Sequence, residues 1–166
     1  MRLFGLIGKS LLHSSSAQYF KQKFEKENII DAEFCLFELA DIHDYKYIIL
    51  ENPNLNGLTV TSPFKQTIIP YITVLSDTAQ QIGAVNVIDI KRKNHQIELY
   101  GYNTDYWGFE QALKKQLNGN EQYAIVLGNG GAAKAVEFVL NTLGFQYVLV
   151  SRTKSTKTIT YNELSD

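Results

Sequence analysis

The sequence predicts an α/β fold in two parts: an N-terminal unit on a mostly parallel sheet, then a smaller unit holding one βαβ crossover. Three observations carry this expectation. The runs Leu3–Ile7, Ala32–Leu39 and Leu58–Thr61 are short, apolar or β-branched, and are separated by stretches with helical spacing. A later apolar run, Tyr123–Leu127, leads directly into Gly128-Asn129-Gly130-Gly131-Ala132-Ala133 and a further helical pattern. The 166 residues, 45% hydrophobic and 20% charged, can bury a core in one ordinary domain or two small ones.

Leu3–Ile7 is continuously apolar apart from one glycine, as a strand buried on both faces is. After Gly8-Lys9-Ser10 comes Leu11-Leu12-His13-Ser14-Ser15-Ser16, then Tyr19, Phe20 and Phe24 at helical spacing. One serine is expected to cap that helix. A cap uses a single hydroxyl, so Ser14 and Ser16 can both face a carboxylate or polyhydroxylated ligand at the helix start. Ala32–Leu39 predicts a second strand, with Phe34 and Leu36 on one face, and Ile42–Leu50 a short helix.

Leu58–Thr61 predicts the third strand, ended by Ser62-Pro63, because proline offers no ladder donor. Lys65 then falls just past a strand end, where a rigid element can present it to a ligand above the sheet edge. A solvated lysine at a helix start is the plain alternative. Phe64–Ile69 predicts a helix stopped by Pro70, and Asp77–Ile82 another. Ile82–Ile88 and Gln96–Tyr100 flank Lys91-Arg92-Lys93-Asn94, which predicts a hairpin with a solvated, charged tip. Asn86 stands at the hairpin entry among apolar residues, where its amide needs partners in the backbone or in a ligand.

Gly101-Tyr102-Asn103-Thr104-Asp105 leads into a helix over Tyr106–Leu117, with Thr104 or Asp105 as N-cap. The expected division is residues 1–102 and 103–166. In the second unit, Tyr123–Leu127, a helix over Lys134–Leu143 and a strand over Gln146–Val150 make one βαβ unit with a Gly-x-Gly-x-x-Ala turn. That context is the dinucleotide-binding arrangement of a Rossmann unit: Gly128, Asn129, Gly130, Gly131 and Ala132 allow a tight turn and a close pyrophosphate. Ser151 stands where a carboxylate commonly holds the ribose hydroxyls, and Arg152 and Thr153 follow. A guanidinium and a hydroxyl suit a 2′-phosphate, so NADP is expected over NAD.

A net charge of −1, from 16 basic and 17 acidic residues, gives no electrostatic reason to expect nucleic acid or an anionic membrane as partner. The single cysteine, Cys35, cannot form an internal disulfide, which fits a reducing compartment. The opening apolar run is too short for a signal peptide, and none approaches the about 18 residues of a membrane span. A cytoplasmic location is expected. His13, His43 and His95 lack ligand spacing, so no metal is expected.

HSSS, GLTVTSPFK, IGAVN, GYNTD and GNGGAAKA followed by SRT occur in an order and at spacings that together resemble the shikimate dehydrogenase family. The resemblance implies a substrate domain joined to a Rossmann domain, with NADP as cofactor and shikimate or 3-dehydroshikimate as substrate. It implies that Ser14 and Ser16 hold the substrate carboxylate, and that Thr61, Lys65, Asn86 and Asp105 hold ring hydroxyls. Lys65 and Asp105 would be the catalytic pair. Thr59 replaces the family's usual asparagine, and Ala17 and Leu11 stand where prolines are usual. The family continues through further strands and a C-terminal helix, so the chain is expected to hold only the first crossover of the nucleotide unit. The exposed edge this leaves makes a homodimer conceivable. A quinate-accepting relative and a non-catalytic shikimate-binding fragment remain alternative expectations.

Overall fold

The computed structural model describes residues 1–94 and 96–164; His95, Ser165 and Asp166 lie outside the described residues. Two sheets organise the chain. The first has six strands in the order β2-β1-β3-β5-β6-β4: β1 (Arg2–Gly8), β2 (Ala32–Glu38), β3 (Leu55–Val60), β4 (Val74–Leu75), β5 (Val87–Lys93) and β6 (Gln96–Tyr102). Pairs β1/β2, β1/β3 and β4/β6 are parallel, whereas β5 lies antiparallel between β3 and β6.

Hydrophobic burial explains this sheet. Ile7, Leu55, Leu58, Val60, Ile68, Val85 and Ile88 are each at most 2% exposed and form one core with residues of α2 (Tyr45–Glu51), α3 (Phe64–Thr67) and α4 (Asp77–Ile82). The opposite face is covered lightly. There α1 (Ser16–Lys26) buries no residue fully, and Phe20 stacks on Phe34 of β2 at a centroid distance of 4.3 Å.

The face of β2 that carries Phe34 and Leu36 is not the one that meets the main core. Leu36 is 38% exposed, while Cys35 and Phe37 pack against the core, and β2 is an edge strand whose other face meets α1 through the stacking of Phe20 on Phe34. The charged hairpin tip also differs from expectation. Lys91, Arg92 and Lys93 belong to β5, and the Arg92 guanidinium donates to the carbonyls of Ile49 and Asn52, each at 3.2 Å, and to that of Leu55. It thereby closes the carboxyl end of α2, where carbonyls lack helical partners. Pro70 does not directly stop a helix: α3 ends at Thr67, and Pro70 sits inside a 3-10 turn over Ile69–Tyr71.

The second sheet is parallel, in the order β7-β8-β9: β7 (Tyr123–Leu127), β8 (Gln146–Ser151) and β9 (Thr158–Thr160). The expected single crossover is therefore extended by a third strand. A three-residue Thr-Ile-Thr segment after a polar run carries too little periodicity to read. Two-residue β4 escaped notice for the same reason.

Helices α5 (Asp105–Gln116) and α6 (Gly131–Thr142) complete the fold. Ala133, Val136 and Leu140 of α6 pack on Val126 and Leu149 of the second sheet, joined by Leu113 of α5. Its other side faces the first unit, where Ala135 and Phe138 meet Ile82 and Ala84, joined by Tyr106 of α5. The far face of the second sheet is bare, with Tyr123 73%, Ile125 60% and Leu127 65% exposed. Among the described residues no helix is long and apolar enough to cross a membrane.

The chain beyond β9 is held by Glu163, whose carboxylate pairs with Lys154 and accepts from the Thr160 amide at 2.8 Å. The Lys154 ammonium, then the Thr160 amide and hydroxyl, lower its pKa from 4.5 to about 2. Stability from this depressed carboxyl is present above 4.5 and lost as the pH falls toward about 2. The protection of the Thr160 amide against hydrogen exchange should fall across that window while that of Leu58 persists. Parallel loss at both amides would refute the local hold.

Candidate functional site

One end of the first sheet gathers the candidate residues, for a topological reason. Because β1 and β3 are parallel and β5 and β6 alternate in direction, the carboxyl ends of β1, β3 and β6 and the amino end of β5 coincide. The loop Ser10–Ser15, the turn Thr61–Pro63, Asn86 and the start of α5 therefore meet there. A cleft of about 530 Å³ opens between them, lined by Ser14, Ser16, Thr61, Lys65, Asn86 and Asp105. A larger depression of about 750 Å³ lies between α1 and β2 and includes neither Lys65 nor Asp105.

At the cleft wall Lys65 Nζ donates to Asp105 Oδ2 at 2.7 Å, across 40 residues of sequence. The two side chains are 14% and 31% exposed, so the pair is shielded yet reachable. Asn86 Nδ2 donates to Asp105 Oδ1 at 2.8 Å and to Thr104 Oγ1 at 3.0 Å, while its Oδ1 accepts from the Thr104 amide at 2.8 Å. Both carboxylate oxygens of Asp105 are thus engaged. Asp105 stands in the first turn of α5. Lys65 has three donors and spends one on Asp105, leaving two to meet a ligand.

The backbone fixes these groups. Val85 N donates to Lys65 O at 2.7 Å, Val60 N to Asn86 O at 2.8 Å, and Thr61 N to Ile7 O at 2.9 Å. A Cβ on Gly8 would come within 2.6 Å of Thr61 Cγ2 and of Leu11 Cδ2, so a larger residue there would force one or both side chains to shift.

The serine hydrogen bond at the helix start comes from Ser14 rather than from the N-cap position. Ser15 occupies the N-cap position of α1 with no side-chain cap, and Ser14 Oγ accepts from Ser16 N at 3.3 Å. Ser14 and Ser16 are half-buried in the cleft, while His13 and Ser15 are exposed on its rim. Thr59 Oγ1 donates to Gly5 O at 3.2 Å, which commits its hydroxyl to the sheet.

Sequence reasoning missed Asn103. Thr104 holds the N-cap position of α5 without a side-chain cap bond, and Asn103, 4% exposed, does the work. Its Oδ1 accepts from Asp105 N at 3.0 Å and Tyr106 N at 3.4 Å, and its Nδ2 donates to Ala84 O at 3.0 Å. The available signal was an asparagine between a strand and a helix start, a favoured capping residue.

In the second unit the turn between β7 and α6 has Gly128 at φ +121°, a conformation that favours glycine. A Cβ on Gly130 would meet nothing within 4 Å, and Asn129 and Ala132 are exposed. The first amides of α6 have no helical acceptors, so the turn has room and donors for a phosphate group. At the end of β8 the Ser151 hydroxyl turns inward, donating to Thr153 O at 2.7 Å and accepting from Thr153 N at 3.1 Å. Arg152 and Thr153 are exposed beside it.

A polar cleft with an ammonium–carboxylate pair, set beside the glycine turn of a Rossmann-type βαβ unit, is the architecture of the two-unit dehydrogenases. Residues 6–88 match the family described as shikimate dehydrogenase substrate binding domain, and the chain belongs to the shikimate dehydrogenase family. It is 40% identical over 155 residues to shikimate dehydrogenase (NADP(+)) of Clostridium beijerinckii, covering 92% of this chain and 56% of that relative. The chain thus spans about half the length of the curated relatives it matches. Among solved structures, shikimate dehydrogenase 1 of Peptoclostridium difficile superposes with a TM-score of 0.84 at 36% identity, covering 98% of this chain and 62% of that one. Shikimate 5-dehydrogenase of Thermus thermophilus, solved in complex with NADP(H) and shikimate, gives a TM-score of 0.76 at 28% identity, covering 92% of this chain and 57% of that one.

Replacing Asn103 by alanine should lower unfolding stability in urea by about 1–3 kcal/mol, because buried backbone groups lose their partner. Thr104→Ala should cost less, since its hydroxyl caps nothing. Equal losses would mean that Asn103 is not the cap.

Proposed function

We propose that this chain carries the substrate cleft and proton donor of an NADP-dependent shikimate dehydrogenase, interconverting 3-dehydroshikimate and shikimate. The observation that carries this reading is the 2.7 Å contact of Lys65 with Asp105 inside a cleft that also holds two half-buried serines. We divide the chain after Tyr102, with the substrate unit before it and the nucleotide unit after it.

Ser14 and Ser16 receive the substrate carboxylate, and Thr61, Asn86 and Asp105 orient the ring hydroxyls beside Lys65. NADPH, when bound, supplies the hydride that reduces the ketone carbon. Negative charge then builds on the carbonyl oxygen, where the Lys65 ammonium stabilises it and delivers a proton. Asp105 keeps the ammonium aimed at that oxygen and balances its charge. Gly128, Asn129, Gly130, Gly131 and Ala132 suit the pyrophosphate, as the open space at Gly130 supports. Arg152 and Thr153 take the 2′-phosphate, and Ser151 braces their turn through its hydrogen bonds to Thr153.

A second reading, a shikimate-binding module without turnover, is favoured by the fact that every residue lining the cleft precedes Tyr106. Calorimetry with shikimate and with NADPH, beside a turnover assay on the same sample, separates the two. Binding of shikimate alone supports the module.

In the active enzyme, Lys65→Ala should lower kcat by roughly 10²- to 10⁴-fold with little change in NADPH affinity, as for loss of a general acid. An equal loss of cofactor affinity would overturn the assignment. Arg152→Ala should weaken NADPH far more than NADH; an unchanged ratio of the two affinities would remove the 2′-phosphate role.

A further inference from the structure

The glycine turn of the second unit touches the first at the lysine itself. A Cβ built on Gly131 would stand 2.6 Å from Lys65 Cβ, 3.2 Å from Cδ and 3.4 Å from Cγ. The nearest atom is the root of the side chain, which cannot swing aside as a flexible tip would. Gly130, one residue earlier, has nothing within 4 Å of the same position. Two adjacent glycines therefore meet opposite demands: Gly130 leaves room for a ligand, whereas Gly131 leaves room for Lys65.

The contact is held from both sides. Gly131, Ala135 and Phe138 recur at helical spacing on one face of α6, and Ala135, 1% exposed, is packed with Ile82 and Ala84 of the first unit. On the other side, Lys65 O accepts from Val85 N at 2.7 Å, which ties the lysine backbone to the segment that carries Ala84. With the helix and the lysine backbone each anchored, the aliphatic stem has little freedom. Its ammonium is directed at Asp105.

We propose that Gly131 is a positioning residue: its missing side chain lets α6 clamp the stem of Lys65 and hold the ammonium on Asp105. The positioning role rests on reading Lys65 as the proton donor, whereas the clamp itself does not. Occupation of the turn by a nucleotide would be felt directly at Lys65, because the same short segment forms the turn and the clamp.

Reductive methylation with formaldehyde and cyanoborohydride, read residue by residue by peptide mass spectrometry, tests this without requiring turnover. Gly131→Ala should raise the methylation rate of Lys65 relative to exposed Lys115 by roughly fivefold or more, the scale of a modest shift in a local equilibrium. Gly130→Ala, the same change one residue away, should leave that ratio as in the unaltered chain. An unchanged ratio in Gly131→Ala, or an equal rise in both variants, overturns the clamp. If Gly131→Ala fails to fold, adding Lys65→Gly removes the atom that the new methyl group meets and should restore the folded circular dichroism spectrum. Failure to restore it also overturns the proposal. A chain with the expected labelling but no hydride transfer keeps the clamp and loses only the donor role.

Discussion

The cleft depends on a shielded ion pair between groups 40 positions apart in the chain. Removing two charges from bulk water is costly, and their attraction offsets the cost only when the remaining donors and acceptors are also served. Here Asn86 takes the second carboxylate oxygen, Asn103 fixes the helix start that carries Asp105, and the Lys65 carbonyl is bonded to Val85. The polar network is complete on the carboxylate side and open on the ammonium side. That asymmetry suits the donor role proposed for Lys65.

The antiparallel β5 makes this possible. In a wholly parallel sheet the amino end of β5 would lie at the far end, and Asn86 would be a strand length away from Asp105. Reversing β5 brings the start of one strand beside the ends of three others, so residues 14, 61, 65, 86 and 105 share one rim. The crevice beyond the carboxyl ends of parallel strands is the usual ligand position in such sheets. The reversal adds one more wall to it.

Much of this was legible in the sequence. Apolar or β-branched runs located β1, β3, β7 and β8 although one face of the second sheet is exposed, and helix α4 was bounded by Asp77 and Ile82 as read. The cleft residues were legible as polar side chains at strand ends, and the recurrence of five short motifs joined them. What escaped was set by tertiary context. Arg92 reads as a solvated charge until the carbonyls closing α2 are seen beside it. The inward face of β2 could not be read because both faces of that strand carry aromatics, and only the position of α1 decides between them. Asn103 was overlooked beside Thr104 because both can cap, and burial alone distinguishes them.

The far side of the second sheet has a colloidal consequence. Tyr123, Ile125 and Leu127 project from β7, which is an edge strand of its sheet among the described residues. An aromatic and two aliphatic side chains beside an open strand edge form an adhesive corner, able to recruit both apolar surface and backbone from whatever collides with it.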